Sequence, residues 1–336
     1  MTLTSIGDMA QTFHLRHRTT EIKNEMLRLT HELSSGKKAD LGAALGGNLA
    51  NLANVESGLQ LARVYQSAAS EAALHTGAMQ SALETIQKQL TETGPTLLTA
   101  ANTGAQSKID SVAADGASKF DLAVSALNSR ISGRNLFSGD APNQSALITG
   151  KEMLAALEPL VNAATNAQDV IMIVEDWFLA PGGGFETIAY QGGTGPASSF
   201  TVAPGDVINL DISAASTEIR EALIGFALNG LIGNNVGPGG DADRRALLEE
   251  AGTRMMTSQS GISETRARIG TAEERIEIAR VRSAATETTL SIEHNRMVGV
   301  DRPTTATELE EIQMQLESLL VLTARTARLN LTEFLR

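Results

Sequence analysis

Apolar residues recur every three or four positions through both ends of this 336-residue chain and lose that rhythm in its middle. The longest run is Arg244 to Met297. There Leu248, Ala251, Met255, Ser258, Ile262, Thr265, Ile269, Ala272 and Ile276 keep the spacing, and no proline interrupts it. A repeat averaging 3.5 residues holds one seam against a partner helix, so the run predicts a coiled coil. At the rise of an α-helix its length would be roughly 80 Å. Ala, Ser and Thr fill much of the seam, so the helix needs more than one partner to bury enough surface.

The same spacing predicts further helices. Leu15, Ile22 and Leu29 are seven apart, as are Thr19, Met26 and Leu33, which gives a helix over 8–33 that Ser34-Ser35-Gly36 ends. A second helix is expected over 47–93, broken by Gly94-Pro95, and a third reaches about Arg130. Beyond Asp140 glycine and proline cluster and the elements shorten. Thr165 and Gln168 read as a capping box for a helix through Phe178, and Thr217 as the cap of another. Between them 200–202 and 207–212 read as strands joined by Pro204-Gly205-Asp206. After a break at 299–303, Thr305 and Glu308 read as the capping box of a final helix. Leu309, Ile312, Leu316, Leu319 and Thr323 keep the spacing there, with Leu320, Ala327, Leu331 and Phe334 beside them.

The two halves mirror each other: short helix, break, long helix, insert, long helix, break, short helix. This predicts a mainly α fold, a long antiparallel coiled-coil rod built from the N- and C-terminal segments, with a small α+β insert. The expected division is 1–40 and 300–336 as a terminal helical assembly domain, 41–137 and 241–299 as a helical rod, and 138–240 as the insert. The isolation of the terminal stripes by breakers nominates Leu15, Ile22, Met26, Leu29, Leu33, Leu309, Ile312, Leu316, Leu319, Leu320 and Phe334 as an assembly interface.

Composition narrows the picture. Aromatics are 3%, so helices packed closely by small side chains are expected rather than a large aromatic core. A net charge of −12 argues against binding nucleic acid or an anionic membrane surface. There is no cysteine, and the longest wholly apolar run, Val170 to Val174, is far short of a membrane span. Met1 to Arg18 lacks the layout of a secretory signal. Candidate chemistry is sparse. His14, His17 and His31 with Glu21 and Glu32 read as solvated or interface groups rather than metal ligands. Gly36-Lys37 reads as a helix terminus, because His31 stands where a phosphate loop needs glycine. The glycines at 182–184 and 237–240 read as linkers, and the charge runs near Glu273 and Arg280 as a wet helix face. No catalytic residues, metal or cofactor are expected.

Several stretches carry a family likeness. Leu33-Ser34-Ser35-Gly36-Lys37 resembles the turn after the first helix of flagellins. Gly133-Arg134-Asn135-Leu136-Phe137-Ser138-Gly139 resembles the segment before the middle domain of hook-filament junction proteins, and Tyr190-Gln191-Gly192-Gly193 a strand within that domain. Asn330-Leu331-Thr332-Glu333-Phe334-Leu335 resembles the close of the terminal helix. By these motifs, in this order, the chain resembles the flagellin superfamily, and within it hook-associated protein 3. One departure is local: the family usually has two aspartates after the turn, and here Lys38-Ala39-Asp40-Leu41 has one. The resemblance implies a secreted structural subunit at the hook-filament junction of the bacterial flagellum, exported unfolded and uncleaved. Its implied partners are copies of itself in a ring, the neighbouring hook-associated protein, filament flagellin and an export chaperone, with no nucleic acid and no membrane insertion. A filament flagellin is the alternative. A cytoplasmic coiled-coil signalling hairpin is a remote one, since it would need a sensor domain or membrane helices.

Overall fold

The computed structural model describes residues 6–195 and 199–334, with side chains between residues 10 and 325, Thr12 and 196–198 apart. It is three-quarters helical. Ten α-helices occur among the described residues: α1 (Ile6–Ser35), α2 (Leu41–Ala44), α3 (Ala50–Thr103), α4 (Gln106–Ala113), α5 (Gly116–Leu127), α6 (Gly150–Val161), α7 (Ala167–Leu179), α8 (Thr217–Gly233), α9 (Asp241–Val298) and α10 (Arg302–Phe334). Among the described residues there are also two antiparallel pairs of strands, β1 (Arg130–Ile131) with β2 (Arg134–Asn135) and β3 (Ser199–Ala203) with β4 (Asp206–Asn209). The mainly helical fold with little sheet is the expected one.

The chain separates into two compact units. One is 1–62 with 285–336. It holds α1 and α10, and a small core of Leu52, Val55, Leu59, Met297 and Val298. The other is 63–284, where the seams of α3 and α9 share one continuous core with α5 to α8. Leu83, Ile86 and Leu90 of α3 and Met255, Ile262 and Ile269 of α9 are all buried in it. Phe120 of α5, Leu154 of α6, Phe178 of α7 and Phe226 of α8 belong to the same cluster.

Several boundaries differ from the periodicity. The expected break at Gly94-Pro95 does not occur: α3 runs on to Thr103 with Pro95 inside it. Gly94 serves helix packing instead. A Cβ there would lie 3.3 Å from the Gly252 carbonyl oxygen, and one on Gly252 would lie 2.8 Å from Leu98 Cγ. Glycine lets α3 and α9 approach, and contacts with α9 outweigh one lost backbone hydrogen bond. The expected third helix is two, α4 and α5. They part just before Gly116, where a side chain would collide with the Asn229 carbonyl oxygen.

Three caps also move. Asn166 caps α7, accepting from Asp169 N–H at 3.0 Å, while the Thr165 hydroxyl only supports Asp169. Ser216 precedes α8, so Thr217 is its first residue. At α10 the first turn already contains Pro303, and Thr305 lies one turn inside with its N–H bonded to the Asp301 carbonyl. Proline is compatible with a first turn because its missing donor would be unused there. The second strand stops at Asn209, although Leu210 and Ile212 remain buried. Helix α6 had a signal that periodicity passed over: Thr149 and Glu152 form a complete capping box. The two Thr149 hydrogen bonds hold the Glu152 carboxyl below the usual range.

Candidate assembly interface

The nominated interface residues lie on α1 and α10, which pack against each other. They run antiparallel. The end of α1 meets the start of α10 through a bridge between Lys37 and Gly299, and further along Ile22 and Leu319 line one groove. Ile22 and Leu29 are buried, at 5% and 1% exposure. Leu15, Met26 and Leu33 of α1 and Leu309, Ile312, Leu316 and Leu319 of α10 are half-buried. The sequence spacing therefore located a real seam, and within one chain that seam joins the two terminal helices. Leu320, by contrast, is exposed. The Phe334 side chain lies outside the described residues, as do those of Ala327 and Leu331.

A second apolar set escaped the seam-based reading. Phe13 and Leu27 on α1 and Met314, Val321 and Leu322 on α10 are all more than half exposed. The signal was present, since these residues are large and apolar, but they lie off the 3-4 rows. Between the helices a cleft of about 430 Å³ is lined by Arg18, Ile22, Met314, Ser318, Leu319 and Leu322.

Charge on α1 is arranged in short pairs. Arg18 and His17 both reach Glu21 at 3.2 Å, in the open. Arg28 grips Glu25 with two nitrogens, which holds the Glu25 carboxyl below its ordinary range, and also meets Glu32 at 2.8 Å. His14 stacks edge-on to Phe13, and both are exposed on α1. Glu21 and Glu32 thus take different cationic partners rather than meeting at one point. Among the described residues no three His, Cys, Asp or Glu side chains are grouped to hold a metal.

The turn after α1 forms as its glycine requires. Gly36 takes φ 71° and donates its N–H to the Glu32 carbonyl. Asp40, the single aspartate of that stretch, caps α2 by accepting from Ala43 N–H at 2.9 Å.

Two motifs distant in sequence meet in the second unit. Strands β1 and β2 turn through Ser132 and Gly133, both with positive φ, as a tight hairpin twisted with its strands demands. Leu136 and Phe137 then enter the core, and the Ser138 carbonyl accepts from Gly193 N–H at 2.9 Å. The Tyr190 hydroxyl donates to the Gly193 carbonyl at 2.8 Å, and burial pushes its phenol pKa up. Gly139, at φ 61°, packs where any side chain would strike the Gly193 carbonyl. The segment expected as a strand at Tyr190 is only a single bridge to Leu147, following a turn of π-helix over Phe185–Ala189.

Comparison with known proteins agrees with this layout. The bacterial flagellin N-terminal helical region matches residues 7–141, and the bacterial flagellin C-terminal helical region matches 253–335. No curated protein shows significant similarity to the chain. Among solved structures, a Vibrio parahaemolyticus chain provisionally described as a flagellar hook-associated protein superposes with a TM-score of 0.51 at 13% identity, covering 73% of this chain and 95% of that one. At that identity the likeness concerns the fold. No helix among the described residues is long and apolar enough to cross a membrane. The two end regions together span well over half of the chain, each contains one of the paired terminal helices, and the chain belongs to the flagellin superfamily.

Proposed function

We propose that the chain is an exported structural subunit of the bacterial flagellum, placed where hook meets filament. The observation that carries the reading is the α1–α10 pair. Both helices fall within the family-matched ends, bury one stripe against each other and leave further large apolar side chains in solvent. Exposed apolar surface of this kind fits association between copies. On this reading 1–40 with 300–336 is the assembling part, 41–137 with 241–299 the helical body, and 138–240 the insert it carries. The partners are further copies in a ring, a neighbouring hook-associated protein, filament flagellin and, before assembly, an export chaperone. No catalytic step is assigned to the chain.

A filament flagellin is the second reading, favoured by the end-region matches themselves. The Vibrio chain that shares this fold over nearly all of its own length is described as hook-associated, which favours a hook-associated place over the filament. Deleting the gene separates the two. A junction subunit's loss leaves hooks without filaments and flagellin monomers in the medium. A filament subunit's loss leaves bare hooks and no such monomers. Normal filaments on the deletion strain would remove both readings.

A further inference from the structure

The two chain breaks in the first unit are built as one object. Lys38 donates its N–H to the Val298 carbonyl at 2.8 Å, and Val300 donates back to the Gly36 carbonyl at 3.2 Å, with Lys37 opposite Gly299. This is a miniature antiparallel ladder. Its two sides come from opposite ends of the chain. Lys38 adds a second tie, its ammonium reaching the Met297 carbonyl at 3.2 Å. One acidic side chain backs the ladder. Glu32 is only 5% exposed, unusual for a carboxylate, and one of its oxygens accepts from both Ala39 N–H and Arg28, each at 2.8 Å. A buried carboxylate held by a backbone donor and a guanidinium is a strong, geometrically fixed contact. Glu25 is bound to the same Arg28, through two nitrogens of the guanidinium.

We propose that these breaks form a single coupled joint, and that Glu32 is its positioning residue. Glu32 fixes the backbone at Ala39, which sets Lys38 in register with Val298. The pairing in turn holds Val300 against Gly36. The connection leaving α1 and the connection entering α10 therefore open together and close together. Two independent breaks would let either terminal helix swing alone. A joint of this kind keeps α1 and α10 as one antiparallel pair whenever it moves.

The inference does not depend on the flagellar role, and amide hydrogen exchange on the full-length protein tests it. Replacing Glu32 by alanine removes the acceptor. The amides of Lys38 and Ala39 should then exchange about tenfold faster or more, and so should that of Val300, at the other end of the sequence. Glu32→Gln keeps an acceptor oxygen at the same reach and should retain most of the protection. Glu25→Ala should leave all three amides as they are. The coupling at Val300 is the decisive readout, because a merely local role for Glu32 would not move it. The proposal is overturned if Val300 keeps its parent rate while Ala39 speeds up. It is equally overturned if Glu25→Ala reproduces the Glu32→Ala pattern, if Glu32→Gln exchanges as fast as Glu32→Ala, or if α1 loses protection along its whole length.

Discussion

Two buried side chains in the second unit bear on stability in ways their sequence context did not announce. Asn229 lies in the apolar stretch of α8 with no exposed surface, and neither its amide oxygen nor its amide nitrogen has a hydrogen-bond partner. An unsatisfied buried group of this kind costs about 1–3 kcal/mol. Asn229→Leu keeps the four side-chain heavy atoms and the branch at Cγ while removing the polar atoms, so the thermal midpoint should rise by about 2–4 °C for each kcal/mol recovered. A lowered midpoint in calorimetry would mean that the amide is satisfied after all. His75 is buried on α3, tilted against the Phe200 ring at 5.5 Å. Burial, with a smaller push from Arg134, lowers its pKa from 6.5 to about 4. Arg134 itself pairs with Glu71 at 3.6 Å. The unfolded chain therefore binds the His75 proton more readily than the folded one over that window. Stability falls as pH drops from 6.5 to about 4 and levels off below. His75→Leu should lose less stability than the parent across that range in urea unfolding. Parallel curves for the two proteins would show that another group drives the acid response.

At the scale of elements, periodicity found the long helices because their seams are regular and buried on one side. Arg244 to Met297 became α9 with only short extensions at each end. What periodicity could not see was which glycines stop a helix and which let two helices touch. Gly36 takes positive φ and ends α1. Gly94 is followed by proline and still lies inside α3, because its partner Gly252 requires close approach. The difference resides in a second helix nearly 160 residues away, and no local signal contains it. The distinction predicts substitutions of opposite sign. Gly270, in the same helix as Gly252, has nothing within 4 Å of the place a Cβ would occupy. Gly270→Ala should therefore stabilise by about 0.5–1 kcal/mol through the unfolded state and helix propensity. Gly252→Ala would press on Leu98 and the Gly94 carbonyl and should destabilise by about 1–3 kcal/mol. Chemical denaturation of the two variants checks both signs. The π-turn at Phe185–Ala189 and the meeting of Ser138 with Gly193 were likewise invisible locally, although both of the contributing motifs stood out in the sequence.

For the molecule as an assembling subunit, the seam residues and the outward apolar residues ask different questions. The sequence located the stripe from Leu15 to Leu33 and its counterpart from Leu309 to Leu319, because each follows helical spacing. From the sequence, these stripes are expected to be an assembly interface, covered by neighbouring copies. The structure places α1 against α10 on that stripe, leaving Phe13, Leu27, Met314, Val321 and Leu322 outward. A charge at Leu29, 1% exposed, would be buried and unpaired at a cost of several kcal/mol. Leu29→Asp should thus separate the terminal helices even in the isolated subunit, seen as lost helicity and early proteolysis of both ends. Val321 is 53% exposed, so Val321→Asp should change the subunit's stability by no more than about 0.5 kcal/mol. If the outward set is where copies meet, that same charge sits in the contact between subunits. Expressed in a strain lacking the native gene, Val321→Asp should be secreted intact and accumulate in the medium while filaments are missing. Leu319→Asp lines the groove with Ile22 and should show both defects in weaker form. Normal swimming by Val321→Asp would place the interface elsewhere, and its loss through unfolding would show that Val321 belongs to the seam.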